Sequence, residues 1–392
     1  MIISVLFIPQ YFRGEMYTAY QLIERRFGRM LYSLTAGLFL LTRAAAEGVR
    51  VFAVSIVVAI AIGTGEVSSI AIITALTMIY TFEGGMAAVI WTDVVQTMIY
   101  VGGTLVGFFT ILHAVPGGWS TVHAMADAAG KFRVFDFSPM FHKTYTFWAG
   151  IIGGTFLTTA SHGTDQLMVQ RLLAARSERQ SKAALLSSGV AILFQFTLFL
   201  VVGVMLFVFY GGVHPAGSSD RIFPTFIVQN MPHGISGLLI AAILAAAMSN
   251  LSAALNSLSS TSIVDFYLRR NPGASEGRRV MVSRLATIAW ALVLFALALL
   301  SRRGGRVVEV GLSIASVAYG ALLGVFLLGV LTRRATERGA IVGMACGLAA
   351  EIYVWTATRV PWTWYVVIGT AVTFGVGYLA SKRVRAGHSR ER

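Results

Sequence analysis

The hydrophobic positions of this chain form long continuous runs, and short polar stretches separate one run from the next. A helix needs roughly 20 apolar residues to cross a hydrocarbon core of about 30 Å, and ten runs approach or exceed that length. They cover residues 30–62, 67–82, 86–113, 146–172, 183–211, 234–267, 280–301, 307–331, 339–358 and 362–381. The run 67–82 is short for a span, whereas 234–267 is long enough to extend into water. The pattern predicts an all-α polytopic membrane protein.

The run 146–172 carries a polar interruption, which consists of Ser161, His162, Gly163, Thr164, Asp165 and Gln166. Polar groups and glycine are costly in hydrocarbon unless they line a cavity or pack within protein. Secondary transporters hold substrates and ions at helices interrupted in this way. We expect Asp165 to cap the helix that follows, because the positive end of a helix favours a carboxylate. A kinked structural helix that faces its neighbours is the alternative.

Composition supports the membrane assignment. Hydrophobic residues make up 56% of the 392 residues and charged residues only 12%, whereas soluble proteins carry roughly 25% charged residues. The net charge of +14 arises from lysines and arginines concentrated in alternate loops, namely 13–29, 171–182, 269–284, 333–338 and 382–392. Such an excess marks the cytoplasmic side, so it predicts a cytoplasmic C-terminus and gives no reason to expect a nucleic-acid partner. The alanine- and arginine-rich composition favours a bacterial plasma membrane.

Several classes of chemistry have no signature in this sequence. No P-loop or dinucleotide fingerprint occurs, no Cys/His cluster has metal-ligand spacing, and the single cysteine, Cys346, excludes a disulfide framework. A membrane-embedded enzyme that uses His162 and Asp165 as acid and base is a less favoured alternative, because no nucleophile or metal group accompanies them. We therefore do not expect an enzyme.

Four segments, 10–31, 80–96, 153–176 and 241–267, follow one another in an order and spacing that resemble the sodium:solute symporter family. The second segment joins two helices through Gly84 and Gly85, and the third contains the polar interruption. The fourth is rich in alanine, serine and asparagine. The family includes sodium/glucose, sodium/proline and pantothenate carriers, and the resemblance extends from residue 10 to residue 340.

The resemblance implies a LeuT-type fold, in which two inverted repeats of five helices precede accessory helices. Residues 30–113 would hold the last three helices of repeat one, 146–331 the five helices of repeat two, and 339–381 two accessory helices. The remaining segments would be a helix remnant at 1–9, a cytoplasmic linker at 10–29, an extracellular loop at 114–145 and a basic cytoplasmic tail at 382–392. On this scheme the first helix of repeat one and most of the second are missing. We expect an N-terminally truncated form that does not catalyse uptake alone.

The resemblance also implies sodium ligands in the run 234–267. They are the carbonyl of Ala246, the hydroxyl of Ser249 and the next residue, Asn250, where the family's usual hydroxyl is absent. Ser249 and Ser252 lie near one helix face, and hydroxyl or amide oxygens suit a monovalent cation. Hydrogen bonding between helices is the alternative role for these side chains.

Asp93 lies near the cytoplasmic end of its span. Some members of the family use an aspartate at this position together with a hydroxyl that matches Ser252. The resemblance therefore implies a second ion site or a sodium exit path at Asp93 and Ser252. An interfacial aspartate solvated by headgroup water is the alternative, because charge near the membrane surface costs less than charge at its centre.

The positions that match the family's substrate contacts are Thr158, Ser161 and His162. Sugar carriers place aromatic residues at the last two of these positions, and two further polar sugar-carrier positions align with Leu312 and Ile192. We expect an organic acid, an amino acid or another small polar metabolite rather than a sugar. His162 would bind an anionic group or titrate during transport, or it would serve only as a structural histidine.

Two further groups of charges lie inside apolar runs. Arg43, Glu47 and Arg50 are spaced by four and three residues, so they share a helix face and can pair, as an internal gate or as a structural ion triad. Glu351 lies near the outer end of its run, and we expect it at the membrane interface.

The combined prediction is a sodium-coupled symporter that moves a small polar organic solute across a lipid bilayer by alternating access, with the sodium ion as the coupling ion. A non-transporting fragment and a sensor or scaffold relic are the alternatives.

Overall fold

A computed structural model of the protein describes residues 1–13, 19–81, 86–139, 141–213, 218–302 and 306–388. Within those ranges all regular secondary structure is helical. The helices that precede the interrupted run are α1 (Ile2–Leu6), α2 (Ile8–Phe12), α3 (Ala19–Arg26), α4 (Arg29–Ile62), α5 (Glu66–Thr81), α6 (Met86–Ala114) and α7 (Gly118–Ala128). The interrupted run itself forms α8 (Gly154–Gly163) and α9 (Gln166–Leu173). The helices after it are α10 (Glu178–Phe209), α11 (Ile222–Asn230), α12 (His233–Thr261), α13 (Leu268–Arg270), α14 (Glu276–Ser301), α15 (Val307–Leu331), α16 (Glu337–Ala357) and α17 (Tyr365–His388).

Among the described residues, eight helical stretches are long and apolar enough to cross a membrane. They are Arg29–Ile62, Asp93–Ala114, Glu178–Phe209, His233–Arg270, Glu276–Ser301, Glu309–Leu331, Glu337–Ala357 and Trp362–Lys382. They correspond to eight predicted runs, which confirms an all-α, multi-pass membrane protein. The other two runs are the 16-residue α5 and the interrupted run, which is divided between α8 and α9. The glycine pair Gly84 and Gly85 lies outside the described residues.

Helix α4 is 34 residues long and packs against α14, α15, α12 and α5. Gly48 allows the close contact with α14, because a Cβ atom at that position would lie 2.5 Å from the Cβ atom of Leu297. Small residues let helix backbones approach each other in membranes. The helix ends at Gly63, whose φ of 72° is a left-handed conformation that suits glycine. Helix α4 therefore forms a central packing element for four of the other long helices.

The last three helices, α15, α16 and α17, pack through a face of small residues. A Cβ atom at Gly343 of α16 would lie 2.4 Å from the carbonyl oxygen of Thr373 on α17. Glu351 follows Gly343 and Gly347 at four-residue intervals on that same face, and it has no exposed surface. The prediction of an interfacial Glu351 is wrong, because depth along a helix does not determine which face is buried.

The segment 114–145 contains a helix, α7, and is held by side-chain contacts. The ring of Trp119 in α7 lies 6.4 Å from that of Phe132, and 6.3 Å from that of Phe108 on α6. Beyond α7, Asp136 accepts hydrogen bonds from the backbone N–H of Ser138 at 3.0 Å and from Nζ of Lys143 at 3.1 Å. Hydrogen bonds from Ser138, assisted by Lys143, lower the pKa of the Asp136 carboxyl well below its usual range.

Candidate functional site

Helix α12 contributes Ala246 and Asn250 to the wall of a cavity of about 300 Å³. The two residues are one helical turn apart, so both side chains lie on the same face of α12. The opposite wall comes from α4, with Glu47 and Arg50, and Tyr100 of α6 adds a phenolic ring. The remaining lining side chains are apolar. The cavity therefore places a few polar groups in an apolar enclosure, which is the usual character of a small-molecule site.

The side chain of Asn250 is hydrogen-bonded to the carbonyl of Ala246, which is one of the predicted sodium ligands. Its Nδ2 donates to the carbonyl oxygen of Ala246 at 3.0 Å. Inside an α-helix that carbonyl also accepts the backbone N–H four residues later, so both of its lone pairs have donors. A sodium ion at this carbonyl would have to displace the Asn250 amide. The predicted ligands Ala246, Ser249 and Asn250 therefore fit a sodium ion only after the Asn250 side chain has rotated away from this carbonyl.

Ser249 joins α12 to α6 and α9. Its hydroxyl donates to Oδ1 of Asp93 at 2.9 Å, and Nη2 of Arg171 lies 3.3 Å from Oδ2 of the same carboxylate. Ser249 is 3% exposed, whereas the Asp93 side chain is 30% exposed. The structure thus brings together Ser249 from the first predicted ion site and Asp93 from the second. Ser252 is buried on α12, one helical turn after Ser249.

A second charged network surrounds the helix break. Asp165 has an extended backbone, with φ −74° and ψ 125°, and its Oδ1 accepts the N–H of Leu167 at 2.9 Å. The predicted cap of α9 is therefore confirmed. The other carboxylate oxygen accepts the hydroxyl of Tyr319 at 3.0 Å and lies 3.9 Å from Nη1 of Arg43.

The pairing predicted for Arg43, Glu47 and Arg50 is confirmed. Glu47 contacts Arg43 at 2.5 Å and Arg50 at 2.8 Å, and Glu47 is 1% exposed. With Asp165, the network holds two carboxylates and two guanidinium groups, so the buried charges compensate one another. Because Arg50 lines the cavity and Arg43 reaches Asp165, α4 connects the cavity to the helix break.

Segments near the N-terminus cover that break. The hydroxyl of Tyr11 donates to the carbonyl oxygen of Gly163 at 2.5 Å, and the backbone N–H of Ala19 donates to Oε1 of Gln166 at 2.7 Å. Phe7 packs against Gly163. Carbonyl groups at the end of α8 would otherwise lack helical partners. The break is therefore held by α2 and α3 as well as by α4 and α15.

The predicted substrate residues lie on α8 and do not line the 300 Å³ cavity. His162 Nδ1 lies 2.8 Å from the hydroxyl oxygen of Ser161, and Thr158 is exposed. Helix α8 packs against α15, α17 and α1, whereas the cavity lies between α4, α5, α6 and α12. The three predicted substrate residues thus lie together on α8. They do not share a cavity with the predicted sodium ligands Ala246 and Asn250.

The sequence model of the sodium:solute symporter family matches residues 1–347. The chain belongs to the sodium:solute symporter family. Its members found by comparison are transporters rather than enzymes. They include the sodium/sialic acid symporter SiaT of Proteus mirabilis, which is 30% identical over 94% of this chain and 76% of its own length. The human sodium/iodide cotransporter is 27% identical over 90% of this chain and 56% of its own length.

The chain also covers 56% of the sodium-dependent multivitamin transporter of Oryctolagus cuniculus, so it spans about half the length of several curated relatives. A solved structure of a Na+-coupled sialic acid symporter, in a substrate-bound outward-open state, superposes with a TM-score of 0.81. That match has 26% sequence identity and covers 97% of this chain and 80% of the other. The comparison confirms the LeuT-type fold expected for this symporter family.

Sequence reasoning missed three residues of these networks. Arg171 was interpreted only as part of a basic cytoplasmic loop, although it contacts Asp93. Tyr319 and Tyr100 lie in apolar runs, where a tyrosine is compatible with simple packing. The available signal was weak, since only the folded chain shows that Tyr319 contacts Asp165 and that Tyr100 lines the cavity.

Proposed function

We propose that this chain is a sodium-coupled symporter that moves a small polar organic solute by alternating access. The observation that carries the proposal is the hydrogen bond between Ser249 and Asp93, which ties the predicted sodium-binding helix to α6. The chain's membership of a sodium-coupled family supports the choice of ion. A bacterial plasma membrane with a cytoplasmic C-terminus fits the distribution of basic residues in the sequence.

Sodium binding is assigned to Ala246, Ser249 and Asn250, and ion exit or a second ion to Asp93 and Ser252. Coupling requires that ion and solute stabilise the same conformation, so that each increases the affinity for the other. The membrane potential then contributes about 2.3 kcal/mol per charge per 100 mV to cation entry. The Asn250 amide, which covers the Ala246 carbonyl, would rotate away as the ion binds.

The solute is proposed to be a small organic anion or zwitterion. Arg50 is 58% exposed as a side chain and lines the cavity, with Asn250 and Tyr100 nearby. A guanidinium group binds a carboxylate through paired hydrogen bonds. On α8, Thr158, Ser161 and His162 would contact the polar part of the solute in another conformation of the transport cycle. The absence of aromatic residues at Ser161 and His162 makes a stacked sugar ring less suitable.

A sodium titration tests the ion site without requiring transport. Sodium ions should raise the thermal unfolding temperature of the purified chain more than potassium ions do, because a ligand that binds only the folded state stabilises it. Ser249→Ala should raise the sodium concentration needed for half of this effect by roughly two- to tenfold, the value of one lost oxygen contact. Ser257→Ala is the control, since Ser257 is also buried on α12 but lies outside the proposed site.

Uptake by proteoliposomes then tests symport directly. Any accumulation of small organic anions or zwitterions should require an inward sodium gradient, and sugars should accumulate less. Sodium-independent accumulation would contradict the proposal. Sodium binding without any uptake would instead identify the chain as the non-transporting form considered from its sequence.

A further inference from the structure

Glu351 is a carboxyl group enclosed between three helices. Its side chain has no exposed surface, and neither carboxylate oxygen has a hydrogen-bond partner among the described residues. The backbone N–H groups of Gly320 and Ala321 approach the carboxyl group from α15, where they also serve the helix's own carbonyl groups. The side chain is therefore buried with no cation and no side-chain donor among the described residues to stabilise a negative charge.

The surroundings of Glu351 are shaped by glycines. A Cβ atom built on Gly320 of α15 would lie 2.1 Å from Oε1 of Glu351, and one on Gly369 of α17 would lie 2.0 Å from it. The carbonyl oxygen of Val366 would lie 2.9 Å from the same Cβ atom on Gly320. The carboxyl group thus occupies a notch that only glycine permits, beside a carbonyl acceptor. Such tight contacts leave no room for a hydrated metal ion.

Titratable groups on the helices around α16 make their contacts elsewhere. Their contacts are Glu309 with Arg306, Tyr319 with Asp165, Tyr365 with Ser313, Lys382 with the ring of Tyr378, Arg29 with Glu24, Tyr32 with Asp265, and Glu47 with Arg43 and Arg50. On α16 itself, Glu337 accepts the N–H of Met30 and Leu31. Within the described residues, no cation reaches the Glu351 carboxyl group.

We propose that Glu351 is a proton-binding site and that α16 packs on α15 and α17 only while the proton is bound. An ionised carboxylate that is buried without a partner is far more costly than a neutral one. The proton makes Glu351 neutral and able to donate a hydrogen bond, and the carbonyl oxygen of Val366 borders the same notch. Glu47 provides the contrast, because it is equally buried but contacts two guanidinium groups.

The proton site adjoins the part of the fold that holds the helix break. Gly320 follows Tyr319, and the hydroxyl of Tyr319 donates to the Asp165 carboxylate that caps α9. Loss of the proton would place an unpaired charge against Gly320 and push α16 away from α15. The site therefore links a proton to the helix break, in addition to the proposed coupling to sodium.

Infrared spectroscopy of the purified full chain in lipid nanodiscs tests the protonation state at neutral pH. The C=O stretching band of a protonated carboxylic acid should be present in the unmodified protein and lost in Glu351→Gln. The matched control is Glu47→Gln, which should leave the band in place because the Glu47 carboxylate is paired. A band that persists in Glu351→Gln, or that disappears in Glu47→Gln, would overturn the proposal.

A second measurement uses the unmodified protein as well as the variant. Its thermal unfolding temperature should fall as the pH is raised from neutral to alkaline values, since the proton at Glu351 is then removed. In Glu351→Gln, which is permanently neutral, this fall should be smaller. If Glu351→Gln does not fold, an unmodified protein whose unfolding temperature stays constant over this range would contradict the proposal. Neither measurement involves sodium or uptake, so both are independent of the proposed symport.

Discussion

Ser249 and Asp93 lie 156 positions apart in the chain, yet the hydroxyl of Ser249 donates to the Asp93 carboxylate. The second oxygen of that carboxylate faces Arg171 of α9. A cation that approaches Asp93 must therefore compete with a guanidinium group. Because both side chains are partly exposed, water screens this competition and limits its strength.

Arg171→Ala is expected to strengthen sodium binding. Removal of a partly exposed competing charge changes the binding free energy by up to about 1 kcal/mol, which lowers the half-saturating sodium concentration by up to roughly fivefold. A sodium titration of the thermal unfolding temperature measures this change. Arg176→Ala removes the same charge from the following loop and should have little effect. Weaker binding in Arg171→Ala would show that Arg171 positions Asp93 rather than competing for it.

Helix α9 has only eight residues, so it is too short to be stable by itself. Its position depends on the Asp165 cap and on the contacts of that carboxylate with Tyr319 and Arg43. Since Arg171 belongs to α9, the position of this short helix also decides what faces Asp93. The break and the proposed ion site are thus connected through one short helix.

Asp165→Ala should destabilise the fold by about 2–4 kcal/mol. It removes an N-cap worth about 0.5–2 kcal/mol and leaves the buried hydroxyl of Tyr319 without its acceptor, which costs about 1–3 kcal/mol. Asp165→Asn should cost less, because asparagine caps helices as well as aspartate does and can still accept from Tyr319. Thermal unfolding of the two variants makes the comparison. Equal destabilisation would indicate that the charge facing Arg43 matters more than the cap.

The loop that follows α7 has a separate acid-dependent element at Asp136. Hydrogen bonds from Ser138 lower the pKa of Asp136, so their contribution to loop order is present above the usual aspartate pKa and is lost as the pH falls through the lowered value. Ser138→Ala should move the Asp136 titration to higher pH. Carbon-13 NMR of labelled aspartate carboxyl groups, assigned with Asp136→Asn, measures the shift. Ser120→Ala alters another loop hydroxyl and should leave the Asp136 titration unchanged.

Hydropathy predicted most of the spans and the helix break, because both depend on residues that are adjacent in the chain. It did not predict which helices adjoin one another. The contacts of Asp93 with Ser249 and of Asp165 with Tyr319 therefore appeared only in the folded chain. Glu351 was misplaced for a related reason, although the four-residue spacing of Gly343, Gly347 and Glu351 on one helix face was a usable signal. The roles of Ala246, Asn250 and Ser252 stay predictions.

The family match ends at residue 347, inside α16, yet the chain continues to pack tightly beyond that point. A Cβ atom at Gly343 would lie 2.4 Å from a backbone oxygen of α17, so α16 and α17 are joined by a contact that side chains cannot relieve. Gly343→Ala should therefore destabilise the protein by about 1–3 kcal/mol, as overpacking usually does.

The matched variant is Gly375→Ala on α17, where an added Cβ atom meets nothing within 4 Å. It should be neutral or should stabilise by up to about 1 kcal/mol, since alanine favours helix over glycine. Thermal unfolding compares the two variants, and the expected loss for Gly343→Ala corresponds to several degrees, at roughly 2–4 °C per kcal/mol for domains of 150–250 residues. If both variants unfolded at the same temperature, α16 and α17 would not unfold together with α15 and the helix break. A selective loss for Gly343→Ala would show that the last two helices do unfold together with them, and this is the condition under which a proton at Glu351 can act on Asp165.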